Sequence, residues 1–208
     1  MDTVNLPLTL AAAFVSTASP GPATLTIAGT SMAYGRISGL AVAAGVTTGS
    51  WLWSVAAALG LGAVMLANAW AFELLRYAGA AYLLYLAVKS ARSALKQDDI
   101  GALQVRPTSL ATAYGKGLLL HLTNPKAILF FGALFAIGVP AGASTDALAL
   151  VIFAVGLQSF IVFHGYALLF SSAPLAAVYA RLRQWFEAIF ALAFGAAGLK
   201  FLTARFEP

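Results

Sequence analysis

The chain has 208 residues, of which 61% are hydrophobic and only 9% are charged, and its mean hydropathy is +0.88. Soluble domains carry about 25% charged residues, so this composition excludes a water-soluble globular protein and predicts an integral membrane protein. The net charge of +5 does not indicate a nucleic-acid partner, because most basic residues stand beside apolar segments, where they orient a membrane protein. The chain has no cysteine, which excludes disulfides, thiol chemistry and cysteine-ligated metals.

Six apolar segments follow one another, and each approaches the roughly 20 residues that a span requires. They cover residues 6–32, 39–67, 71–88, 109–139, 147–171 and 185–202. The turn Tyr34-Gly35-Arg36 separates the first two, and a polar stretch from Lys89 to Thr108 separates the third from the fourth. No Lys or Arg precedes the first segment, so we expect a retained span rather than a cleaved signal.

Helix-breaking motifs interrupt the first and fourth segments at corresponding places. They are Ser19-Pro20-Gly21-Pro22 and Asn124-Pro125-Lys126. A proline removes a backbone donor and frees the carbonyl one turn earlier, and in a membrane such a group must be buried in protein or face water. One proline alone indicates only a kink. Paired breaks are typical of secondary transporters built from inverted repeats, whose interrupted helices surround a central site.

Other matches between the two halves support a repeat. Gly45-Val46-Thr47-Thr48 resembles Gly156-Leu157-Gln158-Ser159, and Gly79-Ala80-Ala81 resembles Gly195-Ala196-Ala197. We therefore predict an all-α integral membrane protein of about six transmembrane helices, arranged as two inverted three-helix repeats with broken helices one and four. A single transmembrane domain covers residues 1–208, with repeat one at 5–92, a linker at 93–108 and repeat two at 109–205.

The basic residues predict the orientation. With six spans, one side of the membrane receives Arg36, Lys89, Arg92, Lys96, Arg106, Lys116, Arg181 and Arg183, whereas the other receives Arg76, Lys200 and Arg205. The side rich in Lys and Arg is expected to be cytoplasmic. Both termini would then be periplasmic.

The two breaks supply most of the candidate substrate-binding residues. Carbonyls freed around Ser19, Pro20, Gly21 and Pro22 would attract an ammonium group, and the helix that begins after the break presents a positive N-terminus to a carboxylate. In the second break, Asn124 is expected to cap the helix that restarts at Pro125. Lys126 lies well inside a predicted span, where an ionisable residue is a functional hypothesis. The alternative is that Lys126 snorkels to the membrane surface.

Polar residues of the second and fifth segments complete the candidate site. Thr47, Ser50 and Gln158 could line a polar cavity, although hydroxyls in membrane helices serve packing equally well. We expect Gly45 and Gly49, a pair of small residues, to serve close helix packing.

His121 and His164, together with Lys126, are the candidates for proton coupling, since imidazole titrates near neutral pH. For each histidine the alternative is a hydrogen-bonded residue near the membrane surface. No carboxylate is expected deep in a span, unlike the situation in many proton- or sodium-coupled carriers.

Two motifs together resemble a known family. Ala18-Ser19-Pro20-Gly21-Pro22, a glycine-bearing second segment, a basic linker and the stretch from Gly117 to Ala127 are similar to the lysine/threonine/homoserine exporters (LysE/RhtB type), over about residues 6–202. The resemblance implies proton-coupled export of an amino acid or derivative across the bacterial inner membrane, by a compact six-helix multi-pass protein that is often a homodimer. The family often has asparagine where this chain has His121, so no member's substrate can be transferred to this chain.

The sequence patterns are compatible with several functions. The leading hypothesis is a secondary exporter that rocks one half against the other, with the two breaks receiving the two charged ends of a zwitterion. An inorganic cation transporter of the same architecture would require charged oxygen ligands, and a membrane enzyme using His121 or His164 as base lacks a recognisable nucleophile or metal set. A structural membrane subunit would leave the paired breaks unexplained. No cofactor or nucleotide-binding motif is present.

Overall fold

A computed structural model describes residues 4–67, 69–95, 109–140 and 143–203. Within these ranges the chain is helical, as predicted, and strands are absent from them. The helices are α1 (Leu6–Ala18), α2 (Pro22–Ala67), α3 (Ala69–Leu95), α4 (Leu110–Leu122), α5 (Pro125–Gly138), α6 (Thr145–Phe170) and α7 (Ala173–Thr203).

Polar residues begin four of these helices. In each case a side-chain oxygen accepts a backbone N–H of the first turn and so satisfies a donor that the helix leaves unpaired. The residues are Asn5 before α1, Ser109 before α4, Asn124 before α5 and Ser144 before α6.

The predicted turn at Tyr34-Gly35-Arg36 divides α2 into two parts, which we call α2a (residues 22–34) and α2b (residues 36–67). Gly35 has φ 82° and ψ 175°, a left-handed conformation that favours glycine. A Cβ on Gly39 would lie 1.9 Å from Ser31 Oγ, so the two parts approach closely beyond the turn. The prediction of a turn here is confirmed.

Some of the helices are long and apolar enough to cross a membrane. Among the described residues these are Pro22–Gly60 and Thr145–Phe170, and the pair Leu110–Leu122 and Lys126–Phe135, bent by 60° at its break, forms a third candidate. These spans support a multi-pass membrane protein. The count of six spans stays a prediction.

Helix packing relates the two halves of the chain. The helix α3 packs along α7, α2 packs against α4, and α6 packs against α1 as well as against α2. Under the predicted repeat, α3 corresponds to α7 and α2b to α6, so the contact of α2b with α4 matches the contact of α6 with α1. This pairing agrees with two related halves, whereas their inverted orientation stays a prediction.

Glycines bring α2b and α4 into backbone contact. A Cβ on Gly45 would lie 2.1 Å from Tyr114 O, and one on Gly117 would lie 2.3 Å from Val42 O. Gly49 faces the ring of His121, where a Cβ would approach within 3.0 Å. The expectation that Gly45 and Gly49 serve close helix packing is confirmed.

The predicted linker is helical where the structure describes it. The helix α3 continues to Leu95, so it includes Lys89, Arg92 and the first residues of the range 93–108. The remainder, 96–108, lies outside the described residues, as does the end of repeat two at 204–205. The predicted topogenic residues Lys96, Arg106 and Arg205 are therefore also outside them.

Candidate functional site

The first break lies between α1 and α2, where the prolines predicted it. The two carbonyls that these prolines free are those of Ser16 and Ala18. Ser19 Oγ donates to Ser16 O at 3.0 Å, and Tyr166 Oη of α6 donates to Ala18 O at 2.6 Å. Both freed carbonyls are satisfied inside the protein, as the membrane interior requires.

The second break is built in the same way. Asn124 caps α5 as predicted, since its side-chain oxygen accepts from Lys126 N at 3.0 Å. Pro125 frees the carbonyl of His121, which accepts from Trp53 Nε1 of α2b at 3.4 Å. Tyr166 of α6 thus donates to a carbonyl freed at the first break, and Trp53 of α2b donates to the carbonyl freed at the second.

Lys126 joins the two breaks. Its Nζ donates to Ser19 O at 3.0 Å and also to Ser19 Oγ. A Cβ on Gly21 would lie 3.3 Å from the same Nζ, so the ammonium group packs closely against the backbone at this glycine. The lysine therefore reaches the other half of the chain. Ser19, Gly21 and Lys126, which were predicted separately, meet in one place.

A small chamber of about 30 Å³ lies between the breaks, and the rings of Phe130, Phe131 and Phe163 form much of its wall. Its polar lining comprises Ser16, Thr17, Ser19, Thr24, His121, Asn124 and Lys126. A cavity needs only about 10–15 Å³ of such space to hold a water molecule, so the chamber has room for ordered water. Its walls carry hydroxyl, amide, imidazole and ammonium groups beside the aromatic rings.

His121 is buried at the edge of this chamber. Its Nε2 is hydrogen-bonded to Ser50 Oγ at 3.0 Å, and its ring lies edge-on to Phe131 and Phe163. Its Nδ1 is buried without a hydrogen-bond partner, as is Thr47 Oγ1. Buried polar atoms are nearly always paired, so His121 has unused capacity to bind water or pass on a proton.

Two predicted residues lie away from the breaks. Gln158 Nε2 donates to Leu10 O at 3.1 Å and ties α6 to α1. His164 Nδ1 donates to Phe160 O at 2.9 Å, and its ring packs on the Phe160 ring with centroids 4.0 Å apart. Neither residue lines the chamber or the larger cavity described next.

The larger cavity has a volume of about 340 Å³. Ser19 and Gly21 line both this cavity and the chamber, so the first break separates the two spaces. The other walls come from α3, α6 and α7 and include Lys89, Ser90, Ser93, Tyr166, Tyr179, Arg183 and Glu187. Small-molecule sites have volumes of about 300–1,000 Å³, so this cavity suits a small solute.

Glu187 is the residue that sequence reasoning missed. It is 3% exposed, and its Oε1 accepts from Ser93 Oγ at 3.0 Å, while Ser93 Oγ accepts from Arg183 Nη2 at 3.0 Å. This buried carboxylate was not anticipated, whereas the expectation that no carboxylate lies deep in a span stays a prediction, because α7 is not among the candidate spans found in the described residues. The apolar segment was predicted to begin at residue 185, which put Glu187 at its edge, but α7 begins at Ala173. The sequence feature that could have indicated this buried acid is Arg183, which lies one helical turn before Glu187 and therefore on the same helix face.

The hydrogen bond from Tyr166 to the first break gives a stability prediction. Tyr166→Phe leaves Ala18 O buried without its donor, which costs about 1–3 kcal/mol. We expect a lower thermal unfolding midpoint for the purified protein in detergent. Tyr114→Phe is the matched control, because it removes an exposed hydrogen bond to Thr48 Oγ1 and should change the midpoint little. Equal midpoints for Tyr166→Phe and the unmodified protein would contradict this account of the break.

Comparison with known proteins places most of the chain in one family. The model of the LysE type translocator family matches residues 14–205, which include both breaks. The chain is similar to the threonine efflux protein of Escherichia coli (strain K12), with 29% identity over 92% of this chain and 94% of that protein.

Two other relatives are similar over shorter stretches. The leucine efflux protein of Klebsiella pneumoniae is 34% identical over 67% of this chain and 65% of its own length. The homoserine/homoserine lactone efflux protein of Salmonella typhimurium is 35% identical over 56% of each chain. No solved structure matches the chain significantly. Because the family model covers nearly the entire sequence and the resemblance of the two broken helices agrees with it, the chain belongs to the LysE type translocator family.

Proposed function

We propose that this chain is a secondary active exporter of an amino acid or amino-acid derivative, located in the bacterial inner membrane and driven by the proton gradient. One contact carries this proposal: the ammonium of Lys126 bonds to Ser19 O at 3.0 Å, so a charged side chain of one half is held by the helix break of the other. The names of the relatives, which are efflux proteins for threonine, leucine and homoserine, support an amino acid as the substrate.

The contact between Lys126 and Ser19 forms a closed gate. It lies between the cavity of about 340 Å³ and the small chamber. The cavity has Lys89 on its wall, and this exposed residue belongs to the side that the distribution of Lys and Arg assigns to the cytoplasm. Substrate would enter there, and rocking of the two halves would separate Lys126 from Ser19 and open the other side.

Proton coupling is assigned to Lys126 and His121, which line the same chamber. A charged ammonium binds a carbonyl more strongly than a neutral amine does, so loss of a proton from Lys126 would weaken the gate. His121 has an unpaired Nδ1 with which to receive a proton through a chamber water.

His164 lies apart from both breaks and has no role in this mechanism. The homodimer that the resemblance implies is not needed either, because one chain supplies the gate, the chamber and the cavity.

Two of the rival functions, a cation transporter and an enzyme, have less support. Glu187 supplies a buried carboxylate, but the described residues contain no group of three or more His, Asp or Glu side chains that could hold a metal ion. The enzyme hypothesis has less support because the family is one of translocators and the relatives are named as efflux proteins. Transport of an amino acid accounts for the cavity, the gate and the relatives together.

Export from whole cells tests this function. We expect cells that overproduce the protein to release more threonine, homoserine or leucine than cells with an empty vector, because the family model matches residues 14–205, which contain both breaks. A protonophore applied at constant ATP should abolish this extra release. Unchanged release under the protonophore would remove proton coupling, and no extra release of any amino acid would remove the proposed function.

A further inference from the structure

The cavity of about 340 Å³ holds both signs of charge. Glu187 is 3% exposed, whereas Lys89 is exposed and Arg183 is partly buried. Taking a carboxylate out of water is expensive unless cations and hydrogen bonds compensate it. The hydrogen bonds from Arg183 to Ser93 and from Ser93 to Glu187, each of 3.0 Å, provide that compensation and hold the carboxylate in place.

The position of Glu187 gives it a use beyond stability. A buried ion pair contributes little to stability compared with apolar residues of the same volume, so a buried acid on a cavity wall is better explained by a ligand. An ammonium group is the small cation that a lone carboxylate with a neighbouring hydroxyl can bind. The nearby cations Lys89 and Arg183 would meet the opposite charge of the same ligand.

The remaining wall is uncharged, with hydroxyl groups such as those of Ser90 and Tyr166 and an apolar part. Leu25, Leu86, Phe170 and Phe194 line that apolar part, and they offer neither a charge nor a hydrogen bond to a substrate side chain. With one acid and two bases on the lining, a second positive charge on the ligand would face net repulsion. A ligand with an uncharged side chain fits both features.

We propose that this cavity is the loading site for a zwitterionic amino acid with an uncharged side chain, in which Glu187 receives the α-ammonium and Lys89 and Arg183 receive the α-carboxylate. This assignment rests on the proposed function, since it names the substrate class and the first binding site of the exporter. It moves recognition of the ammonium from the break carbonyls to Glu187, because Ser19 O is already occupied by Lys126.

Binding to the purified full-length protein in detergent tests this assignment by removing one charge at a time. The probes are the exported amino acid, its amide, which lacks the carboxylate, and its 2-hydroxy acid, which lacks the ammonium. The unmodified protein should bind the amide and the hydroxy acid roughly ten- to a hundredfold more weakly than the amino acid, the range expected for a lost charge-assisted hydrogen bond. Lysine should bind at least roughly tenfold more weakly than leucine.

Variants of the protein then test which charged side chain binds the ammonium of the ligand and which binds its carboxylate. Glu187→Gln should weaken binding of the amino acid by roughly ten- to a hundredfold and leave the hydroxy acid unchanged. Lys89→Met should weaken the amino acid and leave the amide unchanged, and because Lys89 is exposed this variant will fold even if Glu187→Gln does not. Asp146→Asn, which changes an exposed carboxylate at the start of α6, is the matched control and should bind like the unmodified protein.

Failure of this inference is distinguishable from failure of the proposed function. If proteoliposomes transport an amino acid but Glu187→Gln and Lys89→Met bind all three probes with unchanged affinity, the exporter stands and the loading site is wrong. If the unmodified protein neither binds nor transports any amino acid, the function itself is wrong. A phosphatidylethanolamine headgroup carries the same pair of charges, so tighter binding of glycerophosphoethanolamine than of any amino acid would also overturn the proposal and assign the cavity to lipid.

Discussion

Replacing Lys126 by methionine is expected to abolish amino-acid export while the protein still inserts into the membrane. The substitution removes a charge whose placement at the bilayer centre costs roughly 2.5–3.5 kcal/mol on insertion scales. It also removes the donor to Ser19 O, and an unpaired buried carbonyl costs about 1–3 kcal/mol. These two effects oppose each other, so the amount of folded protein should change little. The gate, by contrast, loses the charged group that holds it.

Three further variants separate the roles of this lysine. Lys126→Gln keeps a hydrogen-bond donor without the charge and should also fail to export. Lys126→Arg keeps the charge but does not readily release a proton, so coupled transport by this variant would indicate a fixed counter-charge instead of a proton carrier. Lys116→Met removes an exposed lysine of α4 and should export normally. Full export by Lys126→Met at normal protein levels would place the functional site elsewhere.

Gly117→Ala is expected to cause a large loss of folded protein. Its Cβ would lie 2.3 Å from Val42 O, and the obstacle is backbone, so α2b and α4 must move apart. Overpacking of this kind costs about 1–3 kcal/mol and sometimes more. Separation of these two helices would also displace His121 from Ser50. Size-exclusion chromatography in detergent should show a much smaller monodisperse peak, with a lower thermal unfolding midpoint.

Gly115 provides the matched control on the same helix. A Cβ at Gly115 meets nothing within 4 Å, and alanine is the better helix former by about 0.5–1 kcal/mol. Gly115→Ala should therefore leave the peak unchanged or raise the midpoint. If Gly117→Ala and Gly115→Ala behave alike, α2b and α4 do not pack through the backbone contact described above.

Much of the fold follows from local patterns. Prolines end α1 and start α5, Gly35 turns the chain inside α2, and Gly45 permits close packing, because each of these effects depends on the residue's own backbone chemistry. Asn124 could be predicted as a cap for the same reason. The two breaks were therefore predictable in position, and the sequence also marks Lys126 as a charge among apolar neighbours.

The partners of these residues could not be predicted. Lys126 meets Ser19, and Tyr166 meets Ala18, across separations of more than one hundred residues, and nothing local to either sequence specifies such a contact. Glu187 was missed because its burial comes from α3 packed along α7 and not from its own segment. Gln158 and His164 share a helix with Tyr166, but their side chains bond to Leu10 and Phe160 instead of a break. A sequence pattern places a residue on a helix without determining what its side chain contacts.

Transport by the purified protein tests the central claim most directly. Proteoliposomes with an acidic lumen would be given labelled threonine, homoserine or leucine outside, so that protons leaving the vesicle drive the amino acid inward. We predict accumulation of at least one of these amino acids, its loss when a protonophore is added, and its absence with Lys126→Met. Uptake of all three amino acids equal to that of protein-free liposomes would contradict the account.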